Sequence, residues 1–299
     1  MTDRRLDSAR AIYASLVAGQ SGASPELRER IERAFALVPR EHFMGRPPWM
    51  IHTGGPFGAA QTDDPIHLYQ NVLVSLDRAR GVNNGEPFLH GQMIAALAPQ
   101  SGDRALHIGC GTGYYTAILA TLIAPGGRVS GYEILEDLAG RAKQALKPWE
   151  NADVMIASGS GAAESSQIEN GSAIRIPSSA AIASLPPADL IYVSAGASRP
   201  AAAWLDALKE GGRLVFPLAG DGGAGVALKI TRTAQGFSAH IVSRAIFIPC
   251  AGAVDAEEAK SVGEGLRKLG RRESLFLHRD NHIDDDTVIV GKGWRLSRR

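Results

Sequence analysis

The residues best suited to hold a ligand form a short glycine-rich stretch directly after an apolar segment. Residues 104–108 are predicted to be a buried strand; Gly109, Gly111 and Gly113 follow it, and a helical pattern begins at Tyr114. Glycines at such a junction let the backbone turn tightly and bring unpaired N–H groups against a ligand. The sequence therefore predicts a ligand-binding loop between a core strand and a helix.

The spacing of these glycines indicates which ligand the loop holds. A dinucleotide fingerprint has its third glycine three residues after the second. Here Tyr114 occupies that position and the third glycine comes earlier, at Gly113. No Lys-Ser or Lys-Thr follows, which excludes a phosphate-binding P-loop. Gly-x-Gly-x-Gly after a strand resembles the loop of methyltransferases, which predicts S-adenosylmethionine as the cofactor, its amino acid portion lying over the loop.

An acidic residue farther along the chain supports the same cofactor. Glu133 is the last residue of the predicted strand over 127–133 and lies 20 residues after Gly113. A carboxylate at the end of a second parallel strand is placed to accept hydrogen bonds from both ribose hydroxyls of an adenosine. The alternative is a surface glutamate at a strand end, which the preceding glycine loop makes the less favoured interpretation.

The composition describes an ordinary globular protein. The chain has 299 residues, of which 44% are hydrophobic and 21% charged, enough for one substantial core with extensions. A net charge of +1 predicts no general attraction to nucleic acid or to anionic membranes. No apolar run reaches the roughly 18 residues that span a bilayer.

The N-terminal sequence and the cysteines predict a cytoplasmic protein. Residues 1–7 contain no apolar signal core, so secretion is not expected. Two cysteines, Cys110 and Cys250, are too few for a disulfide scaffold or a four-cysteine zinc site. We expect both to be reduced thiols, and the sequence predicts no metal site.

The elements that must position the loop follow a regular alternation of strands and helices. The predicted strands of the core are 104–108, 127–133, 153–157, 189–194, 211–217, 226–231 and 239–249. The predicted helices between them are 113–123, 135–146 and 200–209. The last two strands have no helix between them. The pattern predicts a Rossmann-like α/β methyltransferase fold, with a mostly parallel seven-stranded sheet that ends in an antiparallel hairpin.

The segments outside this core divide the chain into three predicted parts. Residues 1–99 form an N-terminal helical cap and substrate-side segment: helices over 7–17, 25–37 and 88–97, a loop over 44–66 and a short strand over 68–76. Residues 100–250 form the methyltransferase core. Residues 251–299 form a C-terminal extension with a helix over 256–269 and one last strand over 287–296. Residues 158–187, small and polar, are predicted to be a mobile insertion in preference to a functional loop.

Several segments together resemble the protein-L-isoaspartate O-methyltransferase family over roughly residues 28–250. The matching segments are Val38-Pro-Arg-Glu-His-Phe43, Gly102-Asp103, the glycine loop, Asp189-Leu-Ile-Tyr-Val-Ser-Ala-Gly196 and Gly211-Gly-Arg-Leu-Val-Phe-Pro217. The resemblance implies transfer of the methyl group of S-adenosylmethionine to an isoaspartyl carboxylate in damaged proteins. An ionised carboxylate needs no base, so catalysis rests on alignment and exclusion of water. No side chain is therefore assigned a catalytic role.

The chain departs from the family pattern on the substrate side. The family has a Gly-Gln-Thr-Ile-Ser-x-Pro segment, and the resemblance implies that its serine lies over the reacting carboxylate. The corresponding run here is Gly81-Val-Asn-Asn-Gly-Glu-Pro87, with Gly85 in place of the serine. Asn83 and Asn84 can donate amide hydrogen bonds to a carboxylate, whereas Glu86 would repel one. We predict residues 83–86 to be the substrate-binding segment.

Two more departures concern the cofactor. His107 replaces the acid that opens the family's loop; it can donate or accept a hydrogen bond but cannot, when neutral, pair with the cofactor's ammonium. Ser160 replaces the acid of a Gly-Asp-Gly segment, and with Gly161 it would border the adenine. The predicted cofactor-binding residues are His107, Gly109, Cys110, Gly111, Thr112, Gly113, Tyr114, Glu133, Ser160 and Gly161.

The leading hypothesis is carboxyl methylation of L-isoaspartyl residues, with a carboxylate-bearing protein or peptide as partner. The alternatives are a methyltransferase for another carboxylate or modified peptide, and a cofactor-binding relative without catalysis. Three side chains near the loop stay open. One of Tyr114 and Tyr115 should line the pocket while the other packs in the core. His90 could face the cleft, but a position facing solvent or satisfied within the fold is favoured.

Overall fold

The structure is a computed structural model that describes residues 4–53, 58–156, 174–175, 185–223, 225–248, 250–251, 254–270 and 273–299. Its helices are α1 (Arg4–Gln20), α2 (Pro25–Leu37), α3 (Pro87–Leu97), α4 (Tyr114–Ile123), α5 (Glu136–Ala145), α6 (Ala202–Ala207) and α7 (Ala256–Lys268). Short 3₁₀ turns cover Arg40–Phe43 and Pro65–Leu68. Of the described helices, none is long and apolar enough to cross a membrane.

The strands form one large sheet and two small ones. Those of the N-terminal part are β1 (Trp49–His52), β2 (Ala59–Thr62), β3 (Leu73–Asp77) and β4 (Val82–Asn83). The next are β5 (Arg104–Ile108), β6 (Arg128–Glu133), β7 (Ala152–Ile156), β8 (Ile174–Arg175), β9 (Ala188–Val193) and β10 (Leu208–Ala219). The last are β11 (Gly225–Thr233), β12 (Gly236–Arg244), β13 (Cys250–Ala251), β14 (Ser274–His278), β15 (Thr287–Gly291) and β16 (Trp294–Ser297).

The large sheet has a parallel half and an antiparallel half. Its order is β15-β16-β14-β12-β11-β10-β9-β5-β6-β7. The strands from β10 to β7 pair in parallel, as expected for strands joined by helical crossovers. Strands β11 and β12 add the antiparallel hairpin. The predicted α/β class with a mostly parallel core sheet is confirmed.

The sheet is longer than the predicted seven strands because the C-terminal segment extends it. Strand β14 pairs with the free side of β12, and β16 and β15 follow. This addition covers an edge that would otherwise expose unpaired backbone groups. The single strand predicted over 287–296 is wrong: a tight turn at Lys292 and Gly293 (φ +82°) folds it into the β15–β16 hairpin. The division into three parts stays a prediction.

The N-terminal region also differs from its prediction. The stretch 44–66, expected to be loop because of its Gly and Pro content, contains β1 and β2, which pair antiparallel. The strand expected over 68–76 begins only at Leu73, after a 3₁₀ turn. These strands are four or five residues long and are held by pairing with each other, a contact that a short run of residues does not reveal.

The core lies on both faces of the parallel strands. Leu106 and Ile191 are buried in the cluster on one face, and Leu190 and Tyr192 in the cluster on the other; each is at most 3% exposed. Such strands are apolar on both sides because helices cover both faces of a parallel sheet. The carboxyl ends of β5, β6 and β9 therefore meet at one edge, where α/β sheets present their ligand sites. Most of the insertion predicted over 158–187 lies outside the described residues.

Candidate active site

A crevice of about 420 Å³ lies at the carboxyl ends of β5 and β6. One side consists of residues 109–112 and Glu133, here called the loop wall. The facing side consists of residues 83–86, here called the asparagine wall. Residues 244–248, which follow β12, complete the rim. Two segments that the sequence marked separately are thus brought together around one space.

The loop wall is held by backbone hydrogen bonds to the neighbouring strand. The N–H groups of Gly109 and Cys110 both donate to the carbonyl oxygen of Tyr132, at 2.8 and 3.1 Å. Gly109 and Gly111 have φ of +72° and +57°, values that favour glycine. Thr112 lines the crevice, and its buried Oγ1 has no hydrogen-bond partner among the described residues. A buried hydroxyl without a partner indicates that a polar ligand belongs beside it.

The structure places two of the predicted cofactor-binding residues away from the lining of the crevice, and their contacts with the cofactor stay predictions. Gly113 does not line the crevice; a Cβ added there would lie 3.0 Å from Leu146, so the glycine serves the packing of α4 against α5. The Tyr114 side chain is 1% exposed and its hydroxyl bonds to that of Tyr13 at 3.1 Å. Tyr115, about 100° farther around the helix, lines the crevice instead.

The Glu133 carboxylate is placed at the crevice but already has backbone partners. Its Oε2 accepts from the N–H of Gly111 at 2.7 Å, and its Oε1 accepts from those of Ile134 and Leu135 at 2.9 and 3.0 Å. Burial raises the pKa of this carboxyl group above its usual value. Since a carboxylate accepts about four hydrogen bonds, capacity for a ribose hydroxyl is left. That role for Glu133 stays a prediction.

His107 borders the crevice, but both of its ring nitrogens are used within the protein. Nδ1 lies 2.8 Å from Thr116 Oγ1, and Nε2 lies 2.9 Å from Ser194 Oγ. Burial lowers the pKa of His107 to about 3, so the imidazole is neutral near pH 7. Both ring nitrogens thus have partners within the protein, and the role of His107 as a cofactor-binding residue stays a prediction.

All four predicted substrate-binding residues lie on the asparagine wall. Asn83 Oδ1 accepts from the N–H of Gly85 at 2.9 Å. Asn84 Oδ1 accepts from the Arg40 guanidinium at 3.3 Å. Because the carbonyl ends of both amides face the protein, their NH₂ groups are left as donors for a ligand. Glu86 stands just before α3 and also lines the crevice.

Arg40 anchors the asparagine wall. This side chain is fully buried and donates to the carbonyl oxygens of Leu68, Gln70 and Val72 at 2.5, 3.1 and 2.8 Å, besides Asn84. A guanidinium suits this role because it presents five donors in a fixed plane. The Val38–Phe43 motif could be identified in the sequence, but this function of its arginine could not.

The sequence left a position of His90 at the cleft open but did not favour it. Its ring is 3% exposed and stacks on Tyr115 with centroids 3.8 Å apart and planes 2° apart. Its Nδ1 lies 2.5 Å from the hydroxyl of Tyr192. The expectation of a solvent-facing or satisfied side chain is half right, since Nδ1 is satisfied but the ring lines the crevice. No local signal distinguishes this position from an ordinary helix histidine.

Other predicted residues are located as follows. Cys110 lines the crevice as a buried thiol, and Ser194 also lines it. Ser160 and Gly161 lie outside the described residues, so their contact with the adenine stays a prediction. Among the residues that the structure covers, no group of three or more His, Cys, Asp or Glu side chains is arranged to hold a metal ion.

The parallel sheet with a glycine loop and an acidic residue at neighbouring strand ends defines a Rossmann-like methyltransferase fold. The chain belongs to the protein-L-isoaspartate(D-aspartate) O-methyltransferase family, whose model matches residues 23–255. The family membership predicted from the sequence is confirmed.

Individual relatives agree with this assignment. The protein-L-isoaspartate O-methyltransferase of Ignicoccus hospitalis is 29% identical over 224 residues, which cover 74% of this chain and 89% of the relative. The protein-L-isoaspartate O-methyltransferase of Ectopseudomonas mendocina is 34% identical over 165 residues, which cover 55% of this chain and 68% of that relative. A solved protein-L-isoaspartate O-methyltransferase structure has a TM-score of 0.60 at 18% identity and covers 96% of this chain and 87% of its own.

A second solved structure links the fold to a bound cofactor product. It is a putative protein-L-isoaspartate O-methyltransferase from Plasmodium falciparum in complex with S-adenosyl-L-homocysteine. Its TM-score is 0.58 at 18% identity, and the match covers 81% of this chain and 98% of that one. At this level of identity the likeness establishes the shared fold.

Proposed function

We propose that this protein transfers the methyl group of S-adenosylmethionine to the carboxylate of L-isoaspartyl residues in damaged proteins. The observation that carries the proposal is the crevice itself, in which the loop wall faces the asparagine wall. The first is suited to the cofactor and the second to a carboxylate. When bound, the cofactor supplies an electrophilic methyl group on a sulfonium, which is a good leaving group.

The residues of the loop wall fit this cofactor. Thr112 offers a buried hydroxyl with no partner in the part of the chain that the structure describes, and Glu133 retains capacity to accept one more hydrogen bond. The glycine backbone permits close approach by a ligand because Gly109 and Gly111 carry no side chain. Leu76, on the opposite side, adds apolar surface that excludes water.

The asparagine wall fits a carboxylate substrate. The NH₂ groups of Asn83 and Asn84 are donors whose carbonyl ends are already fixed by the protein. A free carboxyl group is ionised at neutral pH, so the attacking oxygen needs no base. The residues of the two walls act by aligning the reactants and keeping water out. Glu86 would repel the substrate carboxylate at close range, which restricts where that carboxylate can lie.

We also propose the setting in which the protein acts. A protein substrate follows from the family to which the chain belongs. A cytoplasmic location and the lack of a nucleic-acid partner are supported by the net charge of +1 and by the buried free thiol of Cys110.

The test is labelled-methyl transfer to an isoaspartyl peptide, compared with the matching aspartyl peptide. Calorimetry with S-adenosylhomocysteine is done first to establish that the cofactor site is intact. We expect transfer to the isoaspartyl peptide alone. Cofactor binding without any transfer would contradict the proposal and favour another carboxylate or a relative without catalysis.

A further inference from the structure

His90 and Gly85 share one space in the asparagine wall. A Cβ added to Gly85 would lie 2.0 Å from His90 Nε2 and 2.7 Å from Cδ2, distances at which the two cannot coexist. The imidazole thus occupies the volume that any side chain at position 85 would need. The Gly85 φ of +74° also favours glycine.

The ring is held so that one nitrogen is left for a ligand. Tyr115 stacks on one face, Phe247 approaches edge-on with centroids 5.6 Å apart, and Tyr192 binds Nδ1. Nε2 is directed at Gly85 in the crevice and has no hydrogen-bond partner among the described residues. A fixed polar atom at the wall of a ligand crevice is a candidate substrate contact.

We propose that His90 Nε2–H donates a hydrogen bond to the substrate carboxylate and holds it for methylation. This inference rests on the proposed function and adds a substrate-binding residue to it. The two positions are then structurally linked, because the absence of a side chain at Gly85 leaves the space that the His90 ring occupies.

The hydroxyl of Tyr192 sets which nitrogen of His90 carries the proton. It lies 2.5 Å from His90 Nδ1. Burial raises the pKa of Tyr192 well above its usual value, so the hydroxyl keeps its proton at neutral pH. When this hydroxyl donates to Nδ1, the neutral ring carries its hydrogen on Nε2.

A carboxylate selects this arrangement because it can only accept hydrogen bonds. The donor is a neutral imidazole, because burial holds the pKa of His90 well below 6.5. The contact thus needs no protonated histidine.

The first test compares His90→Leu, which removes the donor at similar size, with His90→Gln, which keeps an amide donor. We expect kcat/KM for an isoaspartyl peptide to fall roughly 10- to 100-fold in the leucine variant, mostly through KM. The glutamine variant should stay within about fivefold of wild type. Both should bind S-adenosylhomocysteine within about threefold of wild type, which separates this effect from misfolding.

The second test is a double-mutant cycle between positions 85 and 90. Gly85→Ser should abolish most transfer in the wild-type background, because its Cβ meets the imidazole. In the His90→Ala background the same change should cost little or restore transfer, because the serine hydroxyl enters the vacated space. Gly211→Ser is the matched control, since Gly211 has the same φ of +74° with nothing within 4 Å.

The outcomes separate the two proposals. If the wild-type protein binds S-adenosylhomocysteine but methylates no isoaspartyl peptide, the proposed function is wrong and the carboxylate contact falls with it. If the wild type is active and His90→Leu keeps its kcat/KM, or the cycle is additive, only the role of His90 is overturned.

Discussion

The two walls of the crevice are built in different ways. The loop wall joins parts that are close in sequence: Gly111 donates to Glu133, 22 residues away. The asparagine wall depends on distant parts, since Asn84 is fixed by Arg40, 44 residues away, and His90 by Tyr192, 102 residues away. The comparison teaches that a surface made of backbone can be encoded locally, whereas one made of side chains depends on the whole fold.

The largest expected effect breaks the asparagine wall at its anchor. Arg40→Met should lower the free energy of unfolding by at least about 3 kcal/mol, because several buried carbonyl groups lose a charged donor. Urea unfolding measures the change. The exposed Arg46→Met should change it by less than about 0.5 kcal/mol. Equal effects of the two substitutions on the free energy of unfolding would show that Arg40 does not anchor this wall.

The next effect concerns the loop wall. Glu133→Ala should weaken the binding of S-adenosylhomocysteine roughly 10- to 100-fold, because a charge-assisted hydrogen bond to the ribose is lost. Calorimetry gives the affinity, and Glu136→Ala, at an exposed position on α5, is the control. Unchanged affinity in the Glu133 variant would exclude this carboxylate from the cofactor site.

A pH effect sharpens the comparison where the two walls meet. The folded-state pKa of His107 is about 3 against 6.5 in the unfolded chain, so below pH 6.5 the unfolded state binds a proton that the folded state does not. This contribution to stability is complete above pH 6.5 and is lost as the pH falls toward 3.

When the pH is lowered from 7 to 5, the free energy of unfolding should therefore fall by about 2 kcal/mol less in the His107→Gln variant than in the wild type. Urea unfolding at the two pH values measures the difference. The exposed His67→Gln should follow the wild-type curve. A His107 variant that also follows it would mean that His107 is not buried as a neutral ring.

The smallest effect lies again in the loop wall. Thr112→Val should weaken S-adenosylhomocysteine binding by roughly three- to tenfold while leaving the free protein equally stable or up to about 1 kcal/mol more stable. The reason is that no residue covered by the structure bonds to the buried hydroxyl. Thr53→Val, at an exposed position outside the crevice, is the control and should change neither the affinity for S-adenosylhomocysteine nor the stability of the free protein. A loss of stability without a change in affinity would contradict the assignment.

Much of the fold could be predicted from the sequence alone. Apolar runs and turn residues placed β5, β6 and β9 within about a residue. The pattern was clearest for β5 and β9, because strands buried on both faces leave a nearly continuous apolar run. The pattern was less informative for β1 and β2, which are short and stabilised by pairing with each other. The pattern also failed to reveal the turn at Lys292 and Gly293, which divides a run that was predicted to be one strand.

The sequence by itself determined the glycine loop, the position of Glu133 at the end of β6 and the segment 83–86, because spacing and residue type encode backbone turns and strand ends. Only the tertiary structure decided which side chains reach the crevice. It turned Tyr114 into the core, used both nitrogens of His107 internally and placed His90 against Gly85. The physical reason is that side-chain direction and partners are set by packing between elements far apart in the chain.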